Sequence, residues 1–352
     1  MAKGENKTFN TTLTTGEKIG LVSNLSTMLS AGIPILEVVS SLLEDSKGGM
    51  KKVLEVTLGD LSSGNRLYTS FAKFPKIFDK VTVNIVKASE EAGTLEVALK
   101  DLRESIQRDV EFNDKIKSAL IYPIFIFGVF IAVLVFMLVT VIPKIAGVFG
   151  NLRIELPLPT KIMVFVSDIL TKHTFYVLFG LTAIIFLFIF LFKTKRSLIL
   201  DIVFSLPLIS KVVRYIDLTR FSRSMHLLLT SGLPIIECLE LTEDVVIKRQ
   251  MSKVIDECKK TVTSGKTLSE GLKVSKGYIP PIMIKLIEAG EKTGTLDKSM
   301  LDISIYFDYQ VTGALKTVTA LIEPIMLVMI GLVVGGMMIS IIGPMYNLIG
   351  KV

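Results

Sequence analysis

Long apolar runs without a charged residue stand out along this chain. The first, Pro123–Ile142, is rich in Ile, Val, Leu and Phe. At about 1.5 Å per helical residue, such a run crosses a hydrocarbon layer of about 30 Å. Two further uncharged runs are Phe175–Phe192 and Pro324–Ile342. The pattern therefore predicts three transmembrane helices, at residues 118–143, 173–192 and 317–343.

Basic residues concentrate on one side of these spans. Two spans separate the polar block 1–117 from the polar block 193–316, so both blocks lie on the same side of the membrane. The basic residues beside the spans on that side are Lys115, Lys117, Lys193, Lys195, Arg196 and Lys316. Because such residues favour the cytoplasm, we expect a multi-pass protein of the bacterial inner (cytoplasmic) membrane, with a cytoplasmic N-terminus and a periplasmic C-terminus.

The sequence predicts an all-α, polytopic membrane protein with two repeated cytoplasmic helical-bundle domains. No alternation of apolar and polar residues indicates a strand. Besides the three spans, the expected segments are a short polar N-terminal arm (1–15), a first cytoplasmic domain (16–117), a periplasmic loop (144–172), a second cytoplasmic domain (193–316) and a short periplasmic tail (344–352).

The two domains are copies of one unit. Ala31–Glu37 recurs as Ser231–Glu237, about 200 residues later, and further matches follow at nearly the same offset. Such self-similarity at a fixed spacing indicates an internal repeat. The residues that match include Gly32, Pro34 and Glu37 with Gly232, Pro234 and Glu237; Glu90 and Gly93 with Glu291 and Gly294; and Pro123 and Pro143 with Pro324 and Pro344.

Capping residues, glycine and proline mark helix ends within the unit. A capping box at Thr14–Glu17 opens a helix that Gly32 ends, and Pro34 starts the next one. Gly93 and Gly294 have the position of a left-handed residue that follows a helix. These local signals agree with the helical reading of both copies.

Composition supports a membrane class. Apolar residues make up 50% and charged residues only 21% of the 352 residues. The net charge of +7 does not indicate nucleic-acid binding, because no basic run is long or interleaved with aromatic residues. Anionic lipid headgroups or an acidic protein partner explain the excess better. Cys238 and Cys258 are read as reduced, buried, small apolar residues.

No motif for catalysis, a cofactor or a metal is recognised. Gly265-Lys266-Thr267 resembles the end of a phosphate loop, but Lys260 stands where that loop needs glycine, so a helix boundary is the better interpretation. His173 and His226 are predicted on opposite sides of the membrane, which excludes a shared metal site. We predict no enzyme activity, and His226 is expected to be a core residue with a local partner.

Several residues remain candidates for partner contact or structure. Glu323 lies near the edge of the third span, either solvated at the headgroups or in contact with an ion or a pilin. Gly331 and Gly335 form a GxxxG pattern that favours close helix packing, within the monomer or in an oligomer. Glu90, Glu91, Glu288 and Glu291 lie beside the Gly-Thr-Leu turns, where we expect a structural or docking role.

Several spaced motifs resemble the two-copy platform proteins of type IV pili and type II secretion systems. Leu228–Pro234 is similar to the family's LL-x-SG-[VIL]-P pattern, and Ala289–Leu296 is similar to its aGExsGxL pattern. Glu323-Pro324 and Pro344 resemble the motifs of its last span. Ser89 departs from the family, which usually has glycine there, and the short segment before the first copy is most similar to platform proteins of type IVb pili.

The resemblance implies a non-enzymatic inner-membrane platform. Its implied partners are a hexameric assembly ATPase, prepilin, other inner-membrane pilus-assembly proteins and further copies of itself. A type II secretion platform is the alternative that this family leaves open. A transporter and a membrane enzyme or receptor are less favoured, because the first two spans lack polar or broken segments and no catalytic motif is found.

Overall fold

The described part of the chain is helical. The computed structural model describes residues 8–151, 158–172, 182, 186, 207–275 and 277–349, and this part contains no β-strand. The all-α prediction is therefore confirmed. The predicted second span, 173–192, lies outside the described residues apart from two isolated positions.

Each repeat consists of five short helices and one long helix. The first comprises α1 (Thr15–Ser30), α2 (Ile35–Glu44), α3 (Gly48–Ser62), α4 (Leu67–Ala72), α5 (Lys80–Ala92) and α6 (Leu95–Phe136). The second comprises α9 (Pro207–Thr230), α10 (Ile235–Glu243), α11 (Arg249–Thr263), α12 (Leu268–Lys273), α13 (Pro281–Thr293) and α14 (Leu296–Ile349). The matching order confirms the internal repeat.

The segment predicted as a periplasmic loop contains helices instead. A π-helical turn, Met137–Val141, leads into α7 (Ile142–Asn151), and α8 (Leu158–Lys172) follows. In α8, Ile162, Val166 and Ile169 recur at three- and four-residue spacing, which is typical of a helix with an apolar face. The described residues of 144–172 are therefore largely helical.

The described residues form two compact units. The two-repeat unit contains the described residues up to Lys115 together with Lys211–Thr312, and the apolar unit contains those of Ile116–Ser210 and Gly313–Val352. In the two-repeat unit, buried apolar side chains of both copies form one connected core. Its largest members are Phe71, Phe74, Phe78, Phe221 and Phe307. Burial of each such side chain stabilises the fold by about 1.5–3 kcal/mol.

Helix ends follow the predicted local rules. The Thr14 N–H donates to Glu17 Oε2 at 2.7 Å, while the Glu17 N–H donates to Thr14 Oγ1 at 3.3 Å, so the capping box opens α1. Gly93 and Gly294 have φ of 73° and 70° and end α5 and α13. Only glycine adopts this left-handed conformation readily, which explains why both copies keep it.

Two helices have apolar segments long enough to cross a membrane among the residues described. They are Leu95–Val148, which contains the predicted first span, and Leu296–Gly336, which covers residues 317–336 of the predicted third span. Pro143 explains the π-helical turn inside the first. The Ile142 N–H donates to Met137 O, so Leu138 O would need a donor on Pro143, which has no N–H. Ser167 Oγ of α8 donates to Leu138 O instead, at 2.6 Å.

Candidate partner-docking surface

The recurrent Gly-x-Pro motif forms the same turn in both copies. Between α1 and α2, the Gly32 N–H donates to Leu29 O at 2.9 Å and the Ile33 N–H to Met28 O at 3.1 Å. The equivalent bonds of Gly232 and Leu233 measure 2.9 and 3.1 Å. This pattern is that of a helix end closed by a left-handed glycine, whose φ is 80° in the first copy and 81° in the second. The two turns are called the proline turns, residues 31–37 and 231–237.

Each proline turn displays an aliphatic side chain and a carboxylate on the surface. Leu36 is 44% exposed and Ile236 is 40% exposed. The glutamates that follow, Glu37 and Glu237, are also exposed. Val38 and Val39 are buried in the core, as are Cys238 and Leu239 in the second copy, so the core holds the start of each helix in place. An exposed apolar residue beside a carboxylate, present twice, suits contact with a protein partner.

Glu90 and Glu291 have a structural role. Glu90 Oε1 accepts the Leu67 N–H at 2.8 Å, and its other oxygen accepts the Tyr68 N–H at 3.3 Å, which caps the N-terminus of α4. Glu291 makes the same bonds to the N–H groups of Leu268 and Ser269 at the start of α12. A carboxylate at a helix N-terminus satisfies free N–H groups and complements the helix dipole. In both copies this glutamate therefore stabilises the start of a short helix.

The other two glutamates of this group form exposed ion pairs. Glu91 lies 3.6 Å from Arg66, and both side chains are about half exposed. Glu288 lies 3.3 Å from Lys273 and 2.8 Å from Lys292, and the lysines hold the pKa of its carboxyl below the ordinary value. Pairs this exposed contribute little to stability. These side chains remain available to a partner.

Asp217 is a buried carboxylate that sequence reasoning missed. It is 0% exposed, and its oxygens accept the N–H groups of Ile247 and Lys248 at 2.7 and 2.9 Å, ahead of α11. Burial raises the pKa of Asp217 to about 6, although these bonds favour the charged form. Its partners lie about thirty residues away along the chain, so no local sequence pattern predicts that Asp217 accepts these N–H groups.

Polar contacts join the two copies. Arg223 of α9 is 7% exposed and donates to Asp109 of α6 at 2.5 Å. Lys80 and Asp244 form an exposed pair at 2.6 Å. Arg223 is buried and Asp109 is half exposed, and because their bond joins the two repeats it links their positions within the two-repeat unit.

The membrane candidates show no packing role among the residues that the structure describes. Glu323 is exposed on α14, and Pro324 lies within the same helix. An added Cβ at Gly331 or Gly335 would meet no atom within 4 Å. Among the described residues, the GxxxG face is thus not used against another helix of this chain.

Other sequence candidates have local structural roles. Thr267 Oγ1 accepts the Glu270 N–H at 3.3 Å and caps α12, which confirms the helix-boundary interpretation of Gly265-Lys266-Thr267. His226 is half-buried, and its Nδ1 lies 2.8 Å from Asp297 O, a partner distant in sequence and not the local one that was expected. No group of three or more His, Cys, Asp or Glu residues suited to a metal occurs in the described ranges. His173 lies outside them.

Comparison with known proteins identifies a family whose model matches this chain twice. A model of the family described as type II secretion system (T2SS), protein F, matches residues 21–143 and again 221–344. This chain belongs to the type II secretion system protein F family. The two matches coincide with the two repeats, each ending in one of the apolar helices.

Relatives of this family member carry two kinds of name. It is 29% identical to the type IV pilus assembly protein PilC of Thermus thermophilus, over 93% of this chain and 81% of the relative. It is 28% identical to the protein of the same name from Pseudomonas aeruginosa, over 92% and 87%. It is also 28% identical to the type II secretion system protein F of Vibrio cholerae, over 79% and 69%. These names describe assembly and secretion components, not enzymes, and they agree with the lack of a catalytic motif in the sequence.

Proposed function

We propose that this protein F family member is the inner-membrane assembly platform of a type IV pilus, of type IVb. In this role a hexameric cytoplasmic ATPase acts on the two-repeat unit while prepilin is extracted and polymerised beside the apolar helices. The observation that carries the proposal is the pair of proline turns. Two matching surfaces on one chain suit a partner that is itself built from identical subunits.

The docking proposal is tested by replacing the exposed aliphatic residue of each proline turn with a charged one. Leu36→Asp with Ile236→Asp places a charge where an apolar contact is needed, so we expect loss of surface pili and of ATPase capture by the purified full chain. Val274→Asp is the matched control, because Val274 is 61% exposed in the same unit but outside the turns. Normal piliation in the double variant, at wild-type protein levels in the membrane, would reject the proline turns as the docking surface.

The orientation is tested separately. A cytoplasmic two-repeat unit requires that single cysteines at Asp60 and Asp256, in a background with both native cysteines replaced, resist membrane-impermeant reagents in intact cells. Labelling of either position from outside would overturn the topology. The same experiment at a residue of 144–172 is expected to give labelling.

Motion of the two-repeat unit would reach the membrane through the long helices. Leu95–Phe136 and Leu296–Ile349 each contain residues of both compact units. Inserting a flexible Gly-rich turn at Lys117 is expected to abolish pilus assembly without abolishing membrane insertion. Normal piliation would reject a relay through α6.

A type II secretion platform is the second candidate. It is favoured by relatives named for that system at nearly the same identity as those named for pili. Deleting the gene and scoring both surface pili and secreted enzymes separates the two functions. Lost pili with unchanged secretion supports the first candidate, and the reverse result supports the second.

Self-association is also part of the proposal. The GxxxG face of α14 suits contact with another copy, since glycine lets helix backbones approach closely. Gly335→Leu is expected to reduce cysteine cross-linking between copies in membranes, whereas Leu332→Ala on the same helix is expected to leave it unchanged. Equal cross-linking in both variants would exclude this face.

A further inference from the structure

A cavity lies between the two repeats and is not used by the proposed docking surface. Its volume is about 420 Å³, and its walls come from α1, α5, α6 and α9 within the two-repeat unit. Ligand cavities for small molecules have volumes of about 300–1,000 Å³. The charged residues of its lining are Lys18, Lys76, Asp79, Asp109, Arg220 and Arg223.

Both carboxylates of the lining are already engaged. Asp79 Oδ1 accepts the Thr82 N–H at 2.8 Å and caps α5. Asp109 accepts from Arg223, whose guanidinium also lies over the Phe112 ring, 5.6 Å from its centroid. Their negative charge is therefore committed to a helix end and to one buried arginine.

The other three cations of the lining have no carboxylate in contact among the residues that the structure describes. Within the described residues, no carboxylate lies within 4 Å of the charged nitrogens of Lys18, Lys76 or Arg220. Arg220 donates to the neutral Asn113 Oδ1 at 3.4 Å. Burial lowers the pKa of Lys18, although Asp79 and Asp109 oppose that shift. A desolvated cation with no counter-charge in contact favours the entry of an anion.

The remaining lining is mixed, with the polar residues Thr14, Thr15, Thr82, Ser105, Asn113 and Ser224 beside an apolar part. Ile77, Val81, Ile85 and Leu102 lie beside the charged groups. A free inorganic ion would leave these walls without a partner, whereas an organic anion would cover them. Arginine and lysine together provide the donors that phosphate oxygens need.

We propose that the inter-repeat cavity binds a small phosphorylated metabolite of nucleotide size, with its phosphate held by Lys18, Lys76 and Arg220. Because its walls come from both repeats, the bound ligand stabilises their interface. The cavity then acts as a regulatory site through which a metabolite stiffens the two-repeat unit. This inference does not depend on which machine the protein serves.

Calorimetric titration of the purified full chain in non-ionic detergent tests the site. The probes are adenosine 5′-monophosphate, inorganic pyrophosphate and adenosine. We expect the monophosphate to bind and adenosine not to bind. Lys76→Gln and Arg220→Gln should each weaken binding at least about tenfold, the usual effect of losing one charge-assisted contact.

The matched control is Lys51→Gln. Lys51 is 56% exposed and outside the cavity, so its loss should change the affinity less than twofold. Lys76 is itself exposed, so Lys76→Gln keeps the fold and the test valid if Arg220→Gln does not. No binding of the monophosphate, binding of pyrophosphate alone, or equal weakening by Lys51→Gln would each overturn the proposal.

Discussion

Gly290 packs against Ser299, and the equivalent contact in the first copy has the serine on the other helix. In the second copy, an added Cβ at Gly290 would lie 2.4 Å from Ser299 Oγ and 2.9 Å from Ser299 Cβ. At the offset of 201, the first copy has Ser89 and Ala98, both buried. The larger residue is thus on α5 in one copy and on α14 in the other. We expect Gly290→Ser to create a clash that Ser299→Ala relieves.

The size of the effect follows from two opposing terms. Ser299 Oγ can rotate away, but its Cβ and the Leu296 Cα, at 3.1 Å, can move only with the backbone. Overpacking of this kind costs about 1–3 kcal/mol. Replacing a helical glycine regains up to about 1 kcal/mol, less for serine than for alanine. We therefore expect Gly290→Ser to lower the free energy of unfolding by about 1–2 kcal/mol, and the double variant to recover at least half of that loss.

The native cysteines provide the assay. Cys238 and Cys258 are fully buried in the second copy, and burial raises the pKa of each thiol to about 12. Their reaction with a thiol reagent therefore reports opening of this copy. Gly290→Ser should speed labelling of the full chain about 5- to 30-fold, the ratio that corresponds to the expected loss.

Gly59→Ala is the control for helix propensity. An added Cβ at Gly59 meets no atom within 4 Å, so this variant should label no faster than the wild type. Unchanged labelling of Gly290→Ser, or a double variant no better than the single one, would refute the volume-exchange argument.

Three further predictions concern single polar contacts. Folding raises the pKa of Asp217 from 3.8 to about 6, so the folded protein binds the proton more tightly than the unfolded chain. The free energy of unfolding should therefore rise by about 1 kcal/mol as the pH falls from 7 to 5. Thermal unfolding of the wild type should show this gain, and a gain of equal size in Asp217→Asn would contradict the prediction. Glu291→Ala removes the carboxylate that accepts the first N–H groups of α12, while the Thr267 cap stays, and should cost about 1–2 kcal/mol by thiol labelling. Glu91→Ala, in an exposed pair, should change stability by less than about 0.5 kcal/mol. Ser167→Ala leaves the buried Leu138 carbonyl without its donor and should cost about 1–3 kcal/mol in detergent-induced unfolding; wild-type stability would show that another donor replaces the serine.

Features that depend on neighbouring residues could be predicted before the fold was known. The capping box at Thr14–Glu17 and the left-handed glycines Gly93 and Gly294 are decided by backbone sterics and by bonds within one turn. The repeat supports each of these helix-end predictions, because the same local signals occur in both copies. The proline turns were likewise recognisable, and only the exposure of Leu36 and Ile236 had to come from the structure.

Features that depend on distant residues could not be predicted in this way. Glu90 and Glu291 were candidates for a structural or docking role because they recur beside the turns, but the sequence did not show that each caps a helix that begins twenty-three residues earlier. Asp217 drew no attention for the same reason. In each case the sequence supplies a carboxylate, and only packing decides whether it faces water, a partner or a free N–H group.

The sequence by itself determined that this protein is helical, duplicated and anchored by apolar segments, since apolar periodicity, uncharged length and repetition are properties of the chain. The tertiary structure alone decided that both copies share one core and enclose a cavity between them. Burial and ion pairing depend on which residues come together in the fold. Asp109 and Arg223 lie more than one hundred positions apart along the chain, and they meet only after the helices have packed.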